Sequence, residues 1–84
     1  MKNNPVSVKA IWDNEVNVWV ATSDDVPGLI TESESIEELI QKLKNIIPEL
    51  MELNGILLDN NLPEIPFQLL SERFEFATNN YNYA

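Results

Sequence analysis

The sequence predicts an α+β fold: a two-layer β-β-β-α-β domain with one kinked helix on a four-stranded sheet of order 3-2-1-4. Three observations carry this. Two runs rich in β-branched and aromatic residues flank a short polar turn. A Pro27-Gly28 turn then introduces a third short run, and a capped apolar stripe from Ile36 to Leu50 follows it.

The first two runs are Val6 to Trp12 and Val16 to Thr22, joined by Asp13-Asn14-Glu15. A three-residue loop pairs Trp12 with Val16, Ala10 with Val18, Val8 with Val20 and Val6 with Thr22. This gathers Val6, Val8, Ala10, Trp12, Val16, Val18 and Val20 on one face, whereas a two-residue turn would divide them between faces. The opposite face then holds Ser7, Lys9, Ile11, Asn17, Trp19 and Ala21, a mixed surface. Pro27 presets φ for the second position of a type II turn and Gly28 accepts the positive φ of the third, so a third strand is expected over Leu29 to Ser33.

The helix is announced at its start. Ser35 and Glu38 stand at the spacing of a capping box, in which each side chain satisfies a backbone N–H. Glu37 and Glu38 occupy the first turn, where the helix dipole favours anions. Ile36, Leu39, Ile40, Leu43, Ile46, Ile47 and Leu50 then recur at helical spacing. Glu38 and Lys42 are placed for an i,i+4 ion pair. Pro48 lacks an N–H and crowds the preceding turn, which predicts a kink near Lys44 to Ile47 or a break into two pieces. Asn54-Gly55 supplies a left-handed stop. Ile56 to Pro66 reads as a connector and Phe67 to Thr78 as a last strand with Leu70, Phe74 and Phe76 in the core. Residues 1–78 thus form one domain, and 79–84 a polar tail.

Two antiparallel steps leave the third strand parallel to the first. A right-handed crossover through the helix then sets the fourth strand beside the first. One helix covers one face. The other face, bearing Lys9, Ile11 and Trp19, is a candidate protein interface. The alternative is a half-exposed tryptophan packed on Lys9 and a tail residue.

Composition bounds the function. A chain of 84 residues buries roughly 60% of its extended surface, so added stability from a second subunit is expected. Fourteen acidic residues against five basic ones give a net charge of −9. That field repels nucleic acid and anionic membrane and attracts basic proteins, or else simply keeps a small protein dissolved. No apolar run reaches the ~20 residues of a membrane span, and Met1 to Pro5 lacks a signal-peptide core, so the cytoplasm is the expected location. Without histidine or cysteine there is no His base, no Ser-His-Asp triad, no disulfide and no thiolate metal site. Two glycines make no phosphate cradle. The acids Asp24, Asp25, Glu32, Glu34, Glu37 and Glu38 lack the ordered spacing of a calcium loop, and a glycosidase pair needs a cleft that two layers scarcely provide. No enzyme, cofactor or metal site is expected.

The stretch Asp25-Val26-Pro27-Gly28-Leu29-Ile30-Thr31-Glu32, followed by Ser35-Ile36-Glu37-Glu38-Leu39, resembles the HicB antitoxin family. Trp12-Asp13, Val18 to Ser23 and the segment Ile47-Pro48-Glu49-Leu50-Met51-Glu52-Leu53-Asn54-Gly55 resemble a branch of small HicB-like bacterial domains. The likeness covers residues 6 to 55 and, through element order, extends to 78. It implies a partial ribonuclease-H-like fold and a role in neutralising HicA-like toxins, small basic messenger-RNA nucleases, by dimers or tetramers. HicB proteins typically continue into a ribbon-helix-helix or helix-turn-helix segment; these residues include none, so operator binding is not expected. On this reading Asp24, Asp25, Glu32 and Glu34 meet a basic partner while Ile11 and Trp19 give affinity. A stand-alone oligomeric scaffold or regulatory domain is the alternative.

Overall fold

The computed structural model describes residues 5–55 and 64–80. Its elements run β1 (Val6–Asp13), β2 (Val18–Thr22), β3 (Ile30–Ser33), α1 (Ile36–Leu53) and β4 (Phe67–Glu72). The sheet order is β3-β2-β1-β4, antiparallel except for the parallel β1–β4 pair, as the crossover argument requires. Part of the expected connector, residues 56–63, and the tail beyond Asn80 lie outside the described residues.

The β1–β2 register differs from the sequence expectation. Trp12 pairs with Trp19, Ala10 with Ala21 and Ile11 with Val20. The cause is a loop one residue longer than expected, Asn14 to Asn17, between Asp13 and its partner Val18. Asp13 Oδ1 accepts the Glu15 N–H at 2.9 Å and the Asp13 carbonyl accepts the Asn17 N–H at 2.8 Å. Asn17 closes the turn at φ 58°, a left-handed conformation that asparagine tolerates. Val16 is thereby spent in the loop. Because opposed residues share a face, the three-residue shift in pairing exchanges the two faces of β2. Trp19 and Ala21 turn toward the helix, and Val18 and Val20 turn away from it.

The helix-side face of β1 is as expected, with Val6, Val8 and Ala10 buried. They meet Ala21, Val26 and Leu29 and the helix residues Leu39, Leu43, Ile47 and Met51 in one core, against which Trp19, Ile36, Ile46, Leu50, Phe67 and Leu69 pack. The buried helix positions repeat every four residues, one row along the amphipathic stripe.

The turn and caps form largely as read. The Leu29 N–H reaches the Val26 carbonyl at 3.1 Å and Gly28 takes φ 85°. A Cβ on Gly28 would meet only Leu50 Cδ2 at 3.9 Å, so the backbone angle, not space, demands glycine. Ser35 Oγ accepts the Glu38 N–H at 3.1 Å, which is half of the capping box. At the other end Asn54 Nδ2 donates to the Leu50 carbonyl at 2.7 Å and to the Pro27 carbonyl at 3.0 Å, and Gly55 takes φ 68°. The helix stop is thus tied to the Pro-Gly turn. Pro48 lies exposed inside one unbroken helix, so of the two expected outcomes, a kink or a break into two pieces, the break does not occur. Lys42 donates its ammonium to the Glu32 carbonyl on β3, in place of the expected pairing with Glu38.

The last strand is shorter than expected. It ends at Glu72, and residues 73–80 form neither helix nor strand. Leu70, Phe74 and Phe76, expected in the core, are exposed. Leu70 alternates to the uncovered face, and the two phenylalanines lie beyond the ladder that β1 offers, whose last pair is Ile11 with Glu72.

Candidate functional site

The make-up of the face left uncovered among the described residues follows from the register. Moving across it, one row holds Ile30, Thr22, Lys9 and Leu70, and the next holds Glu32, Val20, Ile11 and Glu72. Val18 and Asp13 complete it at the loop end. Its second row is therefore apolar at the centre, with Val20 beside Ile11, next to the Thr22–Lys9 pair of the first row, and acids stand at both lateral edges. Ile11 remains 47% exposed, Leu70 51% and Ile30 71%. Large side chains left in water on one sheet face are the feature that most calls for a partner.

Of the residues singled out from sequence, Lys9, Ile11 and Glu32 share this face. Trp19 does not. It lies on the helix side, its ring 5.3 Å from that of Trp12 in an edge-to-face contact. The Arg73 guanidinium sits 4.0 Å above the Trp12 ring and 6.0 Å from that of Trp19, and Arg73 Nε donates to Glu75 Oε2 at 2.6 Å. The expected pairing of Trp19 with Ile11 in one patch is thus corrected by the hairpin loop.

Asp25 has a structural task. Its Oδ2 accepts the Ser7 N–H at 2.8 Å, while Ser23 Oγ donates to the Ser7 carbonyl at 2.6 Å and accepts the Asp25 N–H at 3.1 Å. These two side chains replace a strand neighbour for Ser7, where β2 has already ended. Asp24 is exposed beside them, and Glu34 is exposed between β3 and the helix.

A shallow groove of about 550 Å³ runs between β3 and the helix, lined by Val18, Glu32, Ser33, Glu34, Glu38, Gln41 and Lys42. Ser33 Oγ is buried there with no hydrogen-bond partner among the described residues. Three carboxylates beside one ammonium give this side an acidic character continuous with Glu32 on the sheet. Among the described residues no group of three acids, histidines or cysteines is gathered for a metal ion, and no helix is long and apolar enough to cross a membrane.

Sequence reasoning missed Val20, Leu70, Ile30 and Glu72 on the open face. The available signal was Asn17, a residue suited to positive φ just before the second apolar run.

The family described as "Domain of unknown function (DUF1902)" matches residues 5–78. No curated protein matches the chain. Among solved structures, the chain resembles the hypothetical protein TTHA1013 from the extremely thermophilic bacterium Thermus thermophilus. The identity is 44%, the TM-score 0.67, and the likeness covers 89% of this chain and 99% of that one.

Proposed function

The chain belongs to the DUF1902 family, and we propose that this member is a protein-binding module that neutralises a small basic RNA-cleaving toxin by occlusion. The observation that carries the reading is the uncovered sheet face, apolar at Val20, Ile11 and Leu70 and edged by Glu32 and Glu72. A net charge of −9 supplies long-range attraction for a basic nuclease, whose RNA-binding surface is the part most complementary to it. The apolar centre then supplies affinity that charge alone does not hold against salt. The resemblance to HicB antitoxins in the Pro-Gly turn and the helix cap supports the same role. Binding, rather than catalysis, is the activity, and the cytoplasm, where messenger RNA is cut, is its place.

Co-expression with any short basic reading frame found adjacent to the gene tests this, and the absence of such a frame counts against the antitoxin role. The two chains should co-purify, their complex should weaken as salt rises, and messenger-RNA cleavage by the basic chain should stop when this chain is added. Failure to co-purify, or undiminished cleavage within a complex, would refute the antitoxin role. A stand-alone oligomeric scaffold is then the reading left, favoured by the exposed C-terminal segment that follows β4.

A further inference from the structure

The segment after β4 is unlike an ordinary tail. Phe74 and Phe76 are 72% and 86% exposed, yet their rings meet edge to face at 5.1 Å. On the other side Arg73 and Glu75 pair at 2.6 Å. Residues two apart thus meet on each side, which is the side-chain period of an extended strand. Arg73 lies over Trp12 on the helix side, so the phenylalanines continue the open face that Leu70 and Glu72 begin. The arm is shaped as a strand, but among the described residues no strand lies beside it. β4 has the converse deficit: β1 pairs one of its edges, and its outer edge, at the end of the sheet, has no neighbouring strand among the described residues. Unpaired edges are costly to leave open and invite another chain.

We propose that a second copy of this chain meets both needs: two arms pair antiparallel about a two-fold axis at Phe74, each covering the outer edge of the other copy's β4. The sequence is self-complementary for that pairing. With Phe74 on the axis, Arg73 of each copy stands opposite Glu75 of the other, and Glu72 opposite Phe76. Leu70 stands opposite Thr78, so residues 76–80 run beside residues 68–72 of the other copy. Oppositely charged cross-strand pairs lie on one face and a cluster of phenylalanines on the other. Moving the axis to Glu75 would set like charges against each other, which disfavours that register. The two sheets join edge to edge and their open faces become continuous. This assembly does not require a basic partner. A dimer without toxin binding, or toxin binding by a monomer, tells the two proposals apart.

Sedimentation velocity on the full chain provides the test. The wild-type chain should sediment as a dimer. The F74D/F76D variant should sediment as a monomer with the circular dichroism of a folded chain, since neither ring supports the core. The register is tested by cysteine, which the natural chain lacks. Residues facing each other across antiparallel strands have Cα atoms about 4.5–5.5 Å apart, within disulfide range. Phe74→Cys should therefore oxidise to a covalent dimer far faster than Thr78→Cys, whose own copy is remote. A monomeric wild-type chain, or an F74D/F76D variant that still dimerises, would overturn the arm exchange. Equal oxidation rates of the two cysteine variants would overturn the register.

Discussion

Asn17 determines which tryptophan face the molecule has. Its positive φ lets the hairpin close over four residues, and that places Trp19 against Trp12 beneath Arg73. Strand pattern alone had favoured the opposite assignment, because Val16, Val18 and Val20 alternate as cleanly as Trp19 and Ala21 do. The β-branched side chains prefer strands without specifying a side, so the deciding information was in turn chemistry. The placement has a measurable consequence. Trp19→Ala removes a half-buried ring packed on the core and should lower stability by about 2 kcal/mol, less than the cost at a fully buried site. Chemical denaturation would show it. A stability unchanged by the substitution would mean that the indole faces solvent, as the three-residue loop would have had it.

At the scale of elements, the helix was the most legible part. Its cap, first-turn acids, apolar stripe and Asn-Gly stop are all local signals, and they agree with one another. The four helix residues buried deepest, Leu39, Leu43, Ile47 and Met51, follow from its periodicity, although Met51 lies one residue beyond the stripe read from sequence. Leu43→Ala should cost about 2–5 kcal/mol, because a fully buried side chain leaves a cavity the sheet cannot fill. A denaturation midpoint equal to that of the wild type would contradict the packing. Pro48 was less legible: the helix continues through it despite the missing N–H. The end of β4 was misread for a different reason. Phe74 and Phe76 have strong strand propensity, but a strand needs a paired neighbour, and the β1–β4 ladder ends at Ile11 and Glu72. Propensity announced the extended arm correctly and said nothing of what lies beside it.

The described residues as a whole form a sheet clothed on one side. The topology and the existence of an uncovered face could be read from element order and handedness, since one crossover helix has only one face to cover. Which residues occupy that face could be read for β1 but not for β2, whose pattern admitted both faces. Lys9 and Ile11 could therefore be placed on it from the strand pattern, while Glu32, Val20 and Leu70 came to it only with the register and the length of β4. The acidic balance was legible from composition, but its division was not: Asp25 is engaged in holding Ser7, whereas Glu32 and Glu72 edge the apolar centre. Function on this account depends on that centre being available to another protein.

The most direct measurement is the dissociation constant of the proposed complex with a basic partner, for the wild-type chain and for Ile11→Glu. Ile11 is exposed on the open face, so the substitution should leave thermal unfolding nearly unchanged, within about 0.5 kcal/mol. An acid at the apolar centre should nevertheless raise the dissociation constant at least about tenfold, roughly 1.4 kcal/mol, if that centre is buried in the complex. An unaltered dissociation constant, with the fold intact, would contradict the claim that the uncovered sheet is the binding surface.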